Sequence, residues 1–242
     1  MFKPQGRRFL YKAHAVGASG NFTKPHAEFL EAQASSALPI AGGKTSARVE
    51  NFNHRDIVSF RSASTQAIGT YDPLSGSWNT LVTATVEGLN IQGVVTADRI
   101  VARLASHHYA YEREASILTL GSHIENLKVA GQLVHLEPDS QVLSEWDTMS
   151  AARKGCPSRK PYAISNDGTI IATSILRNVA CSGGMKVEDN AIHFSEFGSI
   201  YLGEIIISDG ERRLTMMRVE FGCEVDGCSN FGDVGGNGHL FP

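Results

Sequence analysis

The chain predicts an all-β fold, a mostly antiparallel two-sheet sandwich or barrel with one short helix near 144–154; a β-solenoid is the alternative. Three observations carry this. Short apolar runs alternate with period two, turn residues punctuate them, and one eight-residue phrase is written nearly twice. Period-two alternation puts successive side chains on opposite faces of a pleated strand. Charged residues are 19% of the 242 while Gly accounts for 24, a balance suited to short strands joined by tight turns. A length of this order fits a single β-rich domain over 1–242, ending in a Gly-rich C-terminal tail over 222–242.

The elements follow in order. The basic opening, Lys3, Arg7, Arg8 and Lys12, reads as a solvated strand face. "KPHAEFLEAQASSAL" stays open between helix and strand. Pro25 suits a first helical position, yet Ala27, Phe29 and Glu31 alternate against Glu28, Leu30 and Ala32. In "SWNTLVTATV", Trp78, Thr80, Val82 and Ala84 share one face, and Leu81, Thr83 and Thr85 the other. "SEWDTMSAARKG" predicts the helix, with Ser144 as N-cap, Asp147 at the capping-box position, Arg153 and Lys154 in the last turn and Gly155 as the stop. Asp209-Gly210 supplies the positive φ of a two-residue turn, so Ser199–Ser208 and Arg212–Phe221 form the clearest hairpin. Leu214, Met216, Arg218 and Glu220 fall on one side of its second strand, and Arg213, Thr215, Met217, Val219 and Phe221 on the other. Neither side is cleanly polar, which predicts a strand covered on both faces.

The repeated phrase is "VEGLNIQG" at Val86–Gly93 and "IENLKVAG" at Ile124–Gly131. Val86 aligns with Ile124, Leu89 with Leu127, Ile91 with Val129 and Gly93 with Gly131. A strand enters, a Gly permits a bulge or close backbone approach, and a second strand leaves. A solenoid needs at least three copies; two are found, which points to two equivalent hairpins facing each other.

A net charge of −3 gives no field to gather nucleic acid. No apolar run approaches the ~20 residues of a membrane span. The amino end lacks the apolar core of a secretory leader, so the expectation is a cytoplasmic protein, or a secreted or cell-surface one whose signal has been removed. No G-x-S-x-G elbow is present, and Cys156 in "KGCPSR" has no partner His assignable from sequence, so catalytic residues stay unknown. Cys223 and Cys228 flank "EVDG", where a disulfide can bridge a hairpin end. With His239 they also give a C-x4-C-x10-H spacing, and Glu224, Asp226, Asn230 and Asp233 offer oxygen ligands among glycines. Neither pattern matches a standard metal site; no metal and no cofactor are expected. The most suggestive surface is "RLASHHYAYEREA". In an extended segment His107, Tyr109, Tyr111 and Arg113 share a face able to stack a sugar, a base or an aromatic ligand.

The order of phrases resembles the choice-of-anchor P family of bacterial secreted and surface β proteins. "AHAVGASGNF" comes first, then "TATVEGLNIQGVVTADRIVARLAS", "SHIENLKVAGQLV", "FGSIYLGEIII" and "RRLTMMRVEF". The resemblance implies a surface-displayed or secreted β domain and supplies no catalytic residues. After "GNGHLFP" no sorting signal follows. The expected function is therefore non-enzymatic, in binding a surface ligand or in homo-oligomeric assembly through open strand edges. The alternative is a small-molecule-binding β-barrel or enzyme with a pocket lined by the Tyr109/Tyr111 face.

Overall fold

Period-two alternation translates into long strands. The computed structural model describes residues 8–158 and 162–241, and it opens with six of them: β1 (Arg8–Lys24), β2 (Glu28–Ala37), β3 (Gly43–His54), β4 (Val58–Asp72), β5 (Ser77–Ile91) and β6 (Val95–Tyr109). Short strands follow: β7 (Ser116–Leu118), β8 (His123–Glu125), β9 (Lys128–Val129), β10 (Gln132–Leu133) and β11 (His135–Pro138). Next come helices α1 (Ser140–Ser144) and α2 (Met149–Gly155). Then come β12 (Ala163–Ile164), β13 (Ile170–Ser174), β14 (Leu176–Ala180), β15 (Lys186–Glu188) and β16 (Ala191–Phe194). Three long strands close the order: β17 (Gly198–Ser208), β18 (Glu211–Gly222) and β19 (Asp226–Phe241).

Among the described residues the strands form two large antiparallel sheets. Sheet I runs β12-β13-β17-β18-β19-β1-β2, with the β15–β16 hairpin attached to β17. Sheet II runs β10-β9-β6-β5-β4-β3, with β7 and β8 also on β6. Their inner faces share one apolar core in which Val82, Ala84, Ile100, Leu202, Leu214 and Phe231 are fully buried. The result is a sandwich, neither a closed barrel nor a solenoid. Trp78, Thr80, Val82 and Ala84 face that core as their alternation predicts. "EFLEAQASSA" resolves to strand β2. Lys12 reaches Glu211 at 2.9 Å, while Lys3 and Arg7 lie outside the described residues.

Each sheet carries a transverse crease. In sheet I, Ala34, Gly17, Gly232, Met216 and Gly203 stand side by side on β2, β1, β19, β18 and β17, at the position where pairing skips a residue on neighbouring strands. In sheet II the row is Asn51, Arg61, Gly88, Asp98 and Asn126. Every second member is left-handed: Ala34 (φ 49°), Gly232 (63°) and Gly203 (62°) in one sheet, and Asn51 (52°), Gly88 (64°) and Asn126 (51°) in the other. These are aligned β-bulges, built largely from the two residue types that tolerate that region. Where a strand crosses the crease its in/out alternation slips by one. Met216 and Met217 are consequently both buried, and Arg213, Thr215, Arg218 and Glu220 share the outer face. The expectation that β18 is covered on both faces is corrected by this slip.

The repeat has three copies. "VENFNHRD" at residues 49–56 matches the two octets in backbone conformation, though it lacks their closing Gly. Each copy closes in a two-residue turn with positive φ at both central residues: Arg55 and Asp56, Gln92 and Gly93, Ala130 and Gly131. This is the hairpin turn whose twist matches the flanking strands. Asn53 Oδ1 accepts from the Asp56 amide at 2.9 Å, as Asn90 Oδ1 does from Gly93 at 2.8 Å. Each later turn hangs on its predecessor, through Gln92 N–H to Ile57 O (3.0 Å) and Ala130 N–H to Val94 O (2.8 Å). The copies therefore lie side by side within sheet II. The two original octets do not face each other; they flank β6, in the rows Val86–Ile100–Ile124 and Ile91–Val95–Val129.

Two further expectations change. The Gly-rich segment from 226 onward is no tail, because β19 is an interior strand between β1 and β18. Its glycines clear space for rings lying across the strand. A Cβ on Gly235 would stand 2.5 Å from the His14 ring, and one on Gly238 would run into Phe9. The single helix is two short ones. Ser144 ends α1, whose N-cap is Asp139, and α2 starts from Thr148, whose Oγ1 accepts from the Ala151 amide at 3.0 Å. A nearer hydroxyl thus displaces Ser144. The connection between the helices is tied to sheet I by Arg212, which is 2% exposed. Its Nη1 donates to Ser208 O (2.8 Å) and Glu211 O (3.0 Å), and its Nη2 to Asp147 O (3.3 Å) and Trp146 O (3.5 Å). Burial pushes its pKa down to about 10, so it stays charged at neutral pH.

Candidate functional site

The crease shapes the outer face of sheet I. On one side of it Tyr201, Arg218 and Asn230 stand in a row across β17, β18 and β19; on the other stand Glu204, Thr215 and Asp233. The β15–β16 hairpin rises beside them, held to β17 by Asn190 Nδ2 donating to Leu202 O at 2.8 Å. Between this hairpin, the two rows and Tyr162 lies a cleft of about 630 Å³.

Both arginines of its floor are paired with carboxylates. Arg218 forks onto Glu204, with Nε to Oε2 at 2.7 Å and Nη2 to Oε1 at 2.8 Å, and also contacts Glu220. The same guanidinium lies 3.8 Å above the Tyr201 ring. Arg213 Nη2 donates to Asp233 Oδ2 at 2.7 Å, and the Thr215 hydroxyl donates to Asp233 Oδ1 at 3.4 Å. Bidentate Arg–carboxylate geometry fixes both partners in orientation. Burial, then the Glu220 carboxylate, raise the Tyr201 pKa. Glu188 is held below the usual carboxylate range by Lys186. The opposite wall is apolar: Ile206 is 45% and Tyr162 42% exposed.

The sequence-predicted residues sit elsewhere. His107 and Tyr109 are on the outer face of β6 in sheet II, but the strand ends at Tyr109 and the chain turns. Tyr111 and Arg113 therefore leave the shared strand face, and both are exposed. The aromatic rings still meet, His107 to Tyr109 edge-on at 4.3 Å and Tyr109 to Tyr111 stacked at 5.1 Å. His107 Nδ1 contacts Asn79, at the end of a polar chain running through Ser77 and Ser75 to Asp72. Tyr111 and Arg113 border a separate hollow of about 490 Å³ with His108 and His239 at the open end of the sandwich. The structure thus divides the predicted face between two surroundings.

Cys223 and Cys228 are free thiols, like Cys181. Cys223 points toward Ser195 O at 3.5 Å, and Cys228 stands opposite Glu220 within β19, so the bridge across the hairpin end is not formed. His239 lies 11 positions further along that extended strand, about 36 Å at 3.3 Å per residue, which rules out a shared zinc. Among the described residues no group of three or more His, Cys, Asp or Glu could hold a metal ion. No helix among them is long and apolar enough to cross a membrane. Sequence reasoning missed Tyr201, Glu204 and Arg218. The available signal was Gly203 interrupting the run "SIYLGEIII".

A family model described as Domain of unknown function (DUF8256) matches residues 9–163, well over half of the chain, and the chain belongs to that family. No curated protein and no solved structure matches it. The matched stretch holds all of sheet II; of the cleft lining named above it reaches only Tyr162.

Proposed function

For this member of a family whose description carries no activity, we propose a non-enzymatic binding module that takes a neutral, hydroxyl-rich ligand, a glycan, in the cleft of sheet I. The observation that carries the reading is charge compensation. Arg218 is paired with Glu204 and Glu220 and Arg213 with Asp233, so neither cation of the floor is left free to hold an anionic ligand. Ile206 and Tyr162 supply an apolar wall for the C–H face of a sugar ring, while the ion-paired floor meets its hydroxyls. Secretion or surface display, implied by the resemblance to choice-of-anchor P proteins, belongs to the same proposal and is tested by fractionating the native host. Screening against arrayed neutral and charged oligosaccharides tests the ligand class. Neutral ligands are expected to bind, and Tyr162→Ala is expected to weaken them about tenfold, the worth of a stacking contact. Retention of charged compounds alone would overturn the reading.

A further inference from the structure

The outer face of sheet II has a different chemistry. Three consecutive rows cross β3, β4, β5 and β6: Lys44–Ile68–Leu81–Ala105, Ser46–Gln66–Thr83–Arg103 and Arg48–Ser64–Thr85–Val101. They enclose a shallow hollow of about 480 Å³. Ser64, Gln66, Thr83 and Thr85 form its floor, and among the described residues none of their side chains has a protein hydrogen-bond partner. Among the described residues Arg103 and Lys44 have no carboxylate within ion-pair distance, and Arg48 is matched by Glu50 at the rim, 2.8 Å away. The next row shows the contrast. There Glu87 sits between Arg61 (3.4 Å) and Arg99 (4.0 Å) and neutralises that end of the face. No acidic residue lines the hollow itself.

A cation without a carboxylate partner, Arg103, beside an unengaged hydroxyl and amide floor is what an oxyanion requires. Guanidinium forks meet two of its oxygens, and hydroxyls donate to the rest. Arg48 and Arg103 stand on strands three spacings apart, about 14 Å at 4.8 Å per strand, at opposite ends of the same floor. We propose that this face of sheet II binds a phosphate- or sulfate-bearing ligand. The site is independent of the glycan reading, since the two faces point away from each other across the core. It lies wholly within the stretch matched by the family model.

The test is NMR titration of the ¹⁵N-labelled full chain with inorganic sulfate, inorganic phosphate, a sulfated oligosaccharide and its desulfated counterpart. Backbone amides of Ser64–Gln66, Thr83–Thr85 and Arg103 are expected to shift with the anions and the sulfated sugar, and not with the desulfated one. Arg103→Gln is expected to weaken binding about tenfold or more, the worth of a lost charge-assisted hydrogen bond. Arg177→Gln, on the exposed part of β14, is expected to leave binding unchanged. Affinity is expected to fall as salt rises. Stronger binding of the sulfated oligosaccharide than of free sulfate assigns a polymeric source; equal binding assigns a free ion. Silence with all anionic probes, equal response to the desulfated sugar, or indifference to Arg103→Gln in a folded variant would overturn the proposal.

Discussion

Replacing Arg212 with Met is expected to cost about 4 kcal/mol of folding stability. The reasoning sets two effects against each other. The depression of its pKa to about 10 shows that holding the guanidinium away from water costs roughly 3 kcal/mol, and Met would recover that. The substitution also removes the charge-assisted hydrogen bonds to the carbonyls of Trp146, Asp147, Ser208 and Glu211, of which Asp147 O keeps the Ile117 amide (2.8 Å) and Glu211 O the Ser208 hydroxyl (3.3 Å). Hydrogen bonds to a charged group are worth about 1.5–3 kcal/mol each. These acceptors are backbone and cannot be exchanged along with the arginine, so the loss exceeds the recovery. Met keeps the apolar stem, which confines the change to the charge. Thermal denaturation followed by tryptophan fluorescence is the assay, with Trp146 reporting beside the lesion. For a chain of this size the cost corresponds to a Tm lower by roughly 8–16 °C. A Tm within about 2 °C of the parent would refute the view that Arg212 clamps the helices to sheet I.

Three other outcomes are expected. Gly238→Ala places a Cβ against Phe9 and 2.5 Å from Leu10 O in the middle of sheet I, and should lower stability by about 1–3 kcal/mol in thermal melts followed by circular dichroism. Ala130→Gly relieves a left-handed alanine (φ 47°) in the third hairpin turn and should raise the urea midpoint, worth about 0.5–1 kcal/mol, with an unchanged slope. Burial depresses the His108 pKa in the folded protein, so the unfolded chain binds the proton first. Stability should therefore be full above the unfolded imidazole value of about 6.5 and decline as pH falls through it, with a shallower decline in His108→Gln.

Much of the architecture was legible because its signals are local. Val82 and Ala84 alternate with Leu81 and Thr83 over a stretch long enough to identify strand and face. Asp209-Gly210 names its own turn. The first two octets announce their turns through Gly93 and Gly131. The third copy escaped because Arg55 and Asp56 adopt the same left-handed pair without glycine, supported by the Asn53 side chain and by the Gln92 amide of the next turn, which donates to Ile57 O. The creases escaped for a related reason. Met216 and Asp98 look like ordinary strand residues, and their slip in alternation is imposed by neighbours on adjacent strands. The Gly-rich end read as a tail because its role, admitting the His14 and Phe9 rings from β1, depends on partners more than two hundred residues away. The cleft was invisible for the same cause: Tyr201, Glu204 and Arg218 fall on one face only once the crease has shifted β17 and β18 together. The Tyr109/Tyr111 face was legible as an aromatic cluster, but the end of β6 at Tyr109 sends Tyr111 and Arg113 away from it.

The most direct measurement is NMR titration of the labelled protein with the neutral oligosaccharide that the array retains best. Concerted shifts at the amides of Glu188–Ala191, Glu204–Ile206 and Arg213–Thr215, with the rest of the spectrum still, are the predicted result. Shifts confined to other surfaces, or none at saturating ligand, would contradict the account.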